Sequence, residues 1–152
     1  MSEHGLLGRR ATGQIDNVAG LQKIFITGVG DKAAIEPRRI SVGCVAGNAI
    51  HLHQAAQQIV VAEGLETAAS AAILLDRPAW AAAGAGNLKS AMRLPKLPLA
   101  SDVVIACDAD EPGRKAANAA WHRWTAERRR VRIATPEKPC SDFNDILRER
   151  AR

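Results

Sequence analysis

From Gln58 onward the apolar residues gather into short runs: Ile59–Ala62, Ala79–Ala83, Val103–Cys107 and Val131–Ala134, the last interrupted by Arg132. The first three do not alternate with polar positions, the pattern of strands covered on both faces rather than half-exposed ones. Helical stretches separate them. Gly64 leads into the Ala-rich stretch Leu65–Leu75, closed by Asp76-Arg77-Pro78. Gly84-Ala85-Gly86 leads into a short helix reaching about Leu94. A third helix has Pro112 in its first turn, where a missing N–H costs nothing. In it Ala116, Ala117, Ala120, Trp121 and Trp124 recur at helical spacing, so this stripe predicts core packing. Strand, loop and helix in succession imply crossover connections and an α/β fold. The prediction is a mostly parallel four-stranded sheet with helices on both faces. Residues 1–57 read differently, as a small β-rich segment. It holds short runs at Lys23–Thr27 and Ile40–Cys44 and a turn at Gly28-Val29-Gly30-Asp31. The chain therefore divides into 1–57 and 58–152.

Composition narrows this little. A length of 152 residues suits one ordinary domain, and 47% hydrophobic residues suffice for a core. Two Phe, three Trp and no Tyr leave that core to Ala, Val, Ile and Leu. A net charge of +5 fits a polyanionic partner, though much of the excess sits in Arg-rich stretches that equally serve as solvated helix faces. Cys44, Cys107 and Cys140 include no CxxC pair, which excludes a zinc ribbon and argues against a disulfide framework. The opening MSEHGLLGRR lacks an apolar core, and no run has the length of a membrane span, so the expected location is cytoplasmic, away from membranes.

The chemistry concentrates in carboxylates. Val103–Cys107 ends in Asp108-Ala109-Asp110, with Pro112-Gly113 opening a helix immediately after. In open α/β sheets ligands bind outside the carboxyl ends of the strands. Two carboxylates about 4 Å apart there repel by ~1 kcal/mol in water and ~4 at an effective dielectric of 20. A hard cation such as Mg²⁺ removes that penalty. Helix N-capping by Asp110 is the plainer reading, and it leaves Asp108 unexplained. Glu63 likewise follows an apolar run, before a turn that Gly64 makes possible; alone it reads as a first-turn glutamate complementing the helix dipole. In Ser141-Asp142-Phe143-Asn144-Asp145, Asp142 and Asp145 have the spacing of an imperfect capping box.

Other candidates carry less. Gly84–Ser90 has the wrong glycine spacing for a phosphate loop and reads as a strand-to-helix turn with Asn87 as N-cap. Lys89 on it, and Arg114 and Lys115 on the third helix, are the candidate phosphate-binding cations. His51 and His53 form an HxH with no third ligand. Arg128-Arg129-Arg130 reads either as a solvated helix end or as a phosphate patch.

Together, Glu63-Gly64 after the first run, Asp108-Ala109-Asp110 after the third and Ser141-Asp142-Phe143-Asn144-Asp145 near the end resemble the Toprim domain, over about Gln58 to Leu147. That family is shared by primases, topoisomerases and some nucleases. Phage- and plasmid-type DNA primases are the most similar, because a β-rich lead ending in Val45-Ala46-Gly47-Asn48-Ala49 precedes the region. The resemblance implies a Toprim (Rossmann-like) fold. It implies Glu63 as general acid/base or metal-associated group, and Asp108, Asp110 and Asp142 as metal-binding residues for Mg²⁺, with Mn²⁺ as a substitute. Asn144 stands where many primases have a second aspartate, and Thr67 where they often have an acid, which favours one metal over two. Implied partners are single-stranded DNA template or RNA, nucleotides and other replication subunits or domains. The absence of Tyr excludes a topoisomerase acting alone. The function expected is phosphoryl transfer on nucleic acid as the nucleotidyltransferase part of a primase-like replication protein, with further domains or a partner supplying the rest. The alternatives are a Mg²⁺-dependent nuclease and a non-catalytic binding module.

Overall fold

The computed structural model describes the backbone of residues 2–7 and all atoms of residues 18–28, 34, 36–37, 39–138 and 141–151. Arg9-Arg10, most of the Gly28–Asp31 turn, Arg38 and Cys140 lie outside the described residues. Strands β1 (Ser2–Leu7), β2 (Gly20–Phe25) and β3 (Arg39–Gly43) form an antiparallel ladder in the order 3-2-1. Among the described residues one strand pairing, Leu7 with Ile50 of the short strand β4 (Ile50–His51), links that ladder to the rest of the sheet. The second part holds β5 (Gln58–Ala62), α1 (Leu65–Leu75), β6 (Ala79–Ala81), a π-helical turn at Asn87–Ala91, β7 (Asp102–Ala106), α2 (Glu111–Ala126), β8 (Arg130–Ala134) and α3 (Phe143–Arg150). Its strand order is 4-6-5-7-8. The four strands β6, β5, β7 and β8 are parallel, as predicted, and β4 adds an antiparallel edge.

Successive strand residues point to opposite faces, so each apolar run feeds two cores. Ile59, Val61, Val103 and Ile105 pack under α2 and the π-helical turn, against Ala116, Ala117, Ala120, Trp124, Leu88 and Met92. Val60, Ala62, Val104 and Ala106 pack under α1 and α3, against Ala68, Ala71, Ala72 and Phe143. Alanine on the helices lets them approach the sheet closely, which replaces the bulk that the missing aromatics would supply. Trp124 is fully buried, as its helical spacing predicted. Trp121 is half-buried, and its indole N–H donates to the Val131 carbonyl at 3.1 Å.

The chain order sets where a ligand can sit. From β5 it crosses through α1 to β6 on one side; β7 then lies on the other side of β5 and crosses through α2 to β8. Right-handed crossovers in opposite directions place α1 and α2 on opposite faces. Their loops part at the carboxyl ends of β5 and β7, the crevice where open α/β sheets bind ligands.

Two sequence expectations, on Asn87 and on Arg129, are corrected here. Asn87 does not cap its helix: the preceding Gly86 occupies that place without a side-chain bond. The Asn87 amide instead donates to the carbonyls of Asn48 and Ala82 and accepts from the Gly47 N–H at 2.9 Å, tying the glycine-rich turn to the end of β6. His51 stacks on Trp80 at 3.7 Å, and His53 Nδ1 accepts from the Ala79 N–H, so the HxH pair serves packing. Arg129 belongs neither to a solvated end nor to a phosphate patch. It is 7% exposed, donates to the carbonyls of Pro95, Leu99 and Ala100, and pairs with Glu127 at 2.8 Å. No helix among the described residues is long and apolar enough to cross a membrane.

Arg129→Ala would leave three carbonyls without their buried donor, and the expected loss is roughly 2–5 kcal/mol of unfolding free energy. Arg130→Ala, whose side chain is exposed, is expected to stay within about 0.5 kcal/mol of wild type in the same denaturant titration.

Candidate active site

Each acidic residue is placed by the end of a regular element. Glu63 follows the last residue of β5, and extended Gly64 turns the chain into α1. The Glu63 carbonyl accepts from the Gly84 N–H at 3.1 Å, fixing the β5 exit against the β6 exit. Asp108 follows β7 by two residues. Its loop is held on both sides: the Cys107 N–H donates to Ala134 at 2.9 Å and the Ala109 N–H to Ser141 at 3.0 Å. The second bond staples the Asp108 loop to the segment that carries Asp142.

Asp110 and Asp142 both cap helices. Asp110 Oδ1 accepts from the Gly113 N–H at 2.7 Å at the start of α2. Asp142 Oδ1 accepts from the Asp145 N–H at 2.9 Å, and Asp145 Oδ2 accepts from the Asp142 N–H at 3.2 Å, so the capping box heading α3 is complete. Each cap uses one carboxylate oxygen and leaves the other without a bond among the described residues. Gly113 is required by this arrangement. A Cβ there would lie 2.8 Å from Asp110 Oδ1 and 3.1 Å from the Asp108 carbonyl.

Asp108 is the carboxylate the others act upon. It is half-buried, and its carboxyl is pushed up to about 6, first by burial, then by the negative charges of Asp142, Glu63 and Asp110. One contact opposes them: the Thr67 hydroxyl donates to Asp108 Oδ1 at 3.3 Å. The structure thus gathers all four acids around the switch-point crevice. Among the described residues, however, no three His, Cys, Asp or Glu side chains stand close enough together to hold a metal by themselves. The donor set still suits a hard cation that keeps water and substrate oxygens in its shell, since such ions are commonly bound through one or two carboxylates.

The basic residues are distributed less tightly. Arg114 lies near enough to Cys107 to act on its thiol, and Lys115 is paired with Glu111 one turn earlier on α2. Lys89 is exposed on the π-helical turn. Sequence reasoning missed two residues. Arg39, on β3 of the antiparallel ladder, brings Nη2 to 3.9 Å from Glu63 Oε1, and Thr67 holds Asp108. The pairing of Arg39 with Glu63 spans 24 positions and carries no sequence signal. Thr67 stood out only as a place without an acid.

Residues 58–152 match the family model described as the Toprim domain. No curated protein sequence matches the chain. Among solved structures, the chain is similar to the primase fragment of the bacteriophage T7 primase-helicase protein. The two are 20% identical with a TM-score of 0.61, over 97% of this chain and 57% of that one. It is also similar to a DNA primase domain from Pseudomonas aeruginosa, at 20% identity and a TM-score of 0.57, over 95% and 52%. A third is a DnaG primase catalytic domain bound to single-stranded DNA, at 16% and 0.55, over 87% and 44%. The chain spans about half the length of these structures, and the likeness is one of fold.

The raised Asp108 carboxyl makes stability depend on pH. Between the ordinary value of 3.8 and about 6 the folded chain binds more protons than the unfolded chain, so stability falls as pH rises through that window. In chelator, Asp108→Asn is expected to raise Tm relative to wild type at pH 8 and to leave it nearly unchanged at pH 4. Thermal unfolding followed by circular dichroism at both pH values reads this. An equal shift at both would remove charge as the cause.

Proposed function

The chain belongs to the Toprim domain family, and from that premise we propose that it is the metal-dependent phosphoryl-transfer domain of a primase-like protein acting on nucleic acid. The observation that supports this most is the crowding of Glu63, Asp110 and Asp142 around Asp108 at the carboxyl ends of β5 and β7. Carboxylates gathered at one sheet edge repel, and a cation or a proton relieves that repulsion. In this reading Asp108, Asp110 and Asp142 would hold a Mg²⁺ ion, with Mn²⁺ as a substitute. When bound, such an ion supplies charge stabilisation to a transferring phosphoryl group.

The protein's own groups then have distinct work. Glu63, at the exit of β5, takes the proton from the attacking hydroxyl or water. Its partner Arg39 sits on the antiparallel ladder, so the segment of residues 1–57 borders the site and is proposed as a separate unit from 58–152. Lys89, Arg114 and Lys115 are proposed to meet phosphates; all three are exposed, and Lys115 would exchange its surface partner Glu111 for the phosphate. With no base-reading motif in the sequence, affinity comes from phosphate neutralisation and falls steeply with salt. The proposed partners are single-stranded DNA or RNA, nucleotides and other replication subunits, in the cytoplasm. The solved primases that share the fold include one bound to single-stranded DNA, which supports the choice of polymer.

Primer synthesis needs a second nucleotide held in line about 3–3.5 Å from the first, and so a positioning surface. Hydrolysis needs only water. The purified chain, given labelled single-stranded DNA, nucleotides and Mn²⁺, is therefore expected to make no primers and to cleave slowly, with Glu63→Gln slower by roughly 100-fold or more. Cleavage undiminished in Glu63→Gln would remove Glu63 from the mechanism. Template-dependent products would show that this chain alone positions both nucleotides. Filter binding between low and high salt completes the test, since unchanged affinity would contradict phosphate-driven binding.

A further inference from the structure

We propose that Thr67 is a positioning residue, whose hydroxyl fixes Asp108 in the orientation from which that carboxylate takes a divalent cation; this rests on the metal-site reading given above. Thr67 lies in the first turn of α1, with its side chain turned inward and the residue 5% exposed. A hydroxyl buried to that degree is costly unless bonded. The partner it finds is Asp108 Oδ1, at 3.3 Å across 41 positions of sequence.

The nature of that partner matters. A cationic side chain on Asp108 would neutralise it and compete with a divalent ion. A carboxylate would add a further negative charge beside Asp142, Glu63 and Asp110. A neutral hydroxyl does neither. It satisfies one oxygen, restricts rotation of the carboxyl group and leaves its charge available. One turn further along α1, Ser70 is equally buried, and its hydroxyl meets Asn144 Oδ1 at 3.4 Å in α3. The two hydroxyls tie one helix to both acid-bearing segments, but only Thr67 touches an acid of the cluster.

The test is calorimetric Mn²⁺ titration of the full chain, with Tm recorded for each variant. Thr67→Val keeps the side chain's shape and is expected to weaken Mn²⁺ binding roughly 10- to 100-fold, the usual consequence of losing a partner that orients a metal ligand. Thr67→Ser keeps the hydroxyl and is expected to bind like wild type. Ser70→Ala is expected to lower Tm without changing Mn²⁺ affinity. Wild-type affinity in Thr67→Val, failure of Thr67→Ser to rescue, or an equal loss in Ser70→Ala would each overturn the proposal. Asp108→Asn separates the two readings. If it binds Mn²⁺ as tightly as wild type, the metal site itself is wrong. If it loses binding while Thr67→Val does not, only the role of Thr67 falls.

Discussion

Repulsion among carboxylates at the edge of the parallel sheet is the constraint on which the rest of the site depends. A half-buried Asp108 faces three other acids, and burial and charge act on it in the same direction. A fold would ordinarily remove such a cluster or pair it with cations. Here the nearest pairing, Arg39 with Glu63, is long at 3.9 Å and half-exposed, so it contributes little. What holds the acids in place is backbone. The Ala109 bond to Ser141, the Asp110 cap on Gly113 and the capping box of Asp142 and Asp145 are all formed without a cation. These bonds orient the segments that carry Asp108, Asp110 and Asp142, and an oriented charged group is worth more in a site than in water.

Rigidity at this edge comes from the architecture beneath it. Two alanine-rich helices press on opposite faces of four short strands, and every inward strand residue from Ile59 to Ala62 and from Val103 to Ala106 is buried. The opposite edge is closed independently. Asp102 is held by Arg132 at 2.7 Å and by Gln58 at 3.4 Å, and buried Arg129 gathers the carbonyls of the loop before β7. The chain thus satisfies its charges at the amino ends of the strands and concentrates unsatisfied ones at the carboxyl ends.

Much of this was legible in the sequence, because the strong signals are local. Unbroken runs such as Ile59–Ala62 mark strands buried on both faces, and a first-turn proline after Asp108-Ala109-Asp110 marks a helix start. The acids could be placed at one edge because strands of a parallel sheet all point the same way. Residues whose roles depend on distant partners were not legible. Asn87 has the composition of a cap, yet its amide is taken by Asn48, Ala82 and Gly47. Arg129 sits in a basic triplet that reads as surface, and the left-handed turn at Arg128 helps send it inward. Thr67 is an ordinary helix residue until Asp108 folds against it.

The most direct measurement of the central claim is the titration of Asp108 itself, by carboxyl-carbon NMR of the labelled chain with and without saturating Mg²⁺. The account predicts an apparent pKa near 6 in chelator, falling below the ordinary carboxylate value of 3.8 when Mg²⁺ is present. An Asp108 that titrates near 3.8 in chelator, or one whose raised titration ignores Mg²⁺, would contradict it.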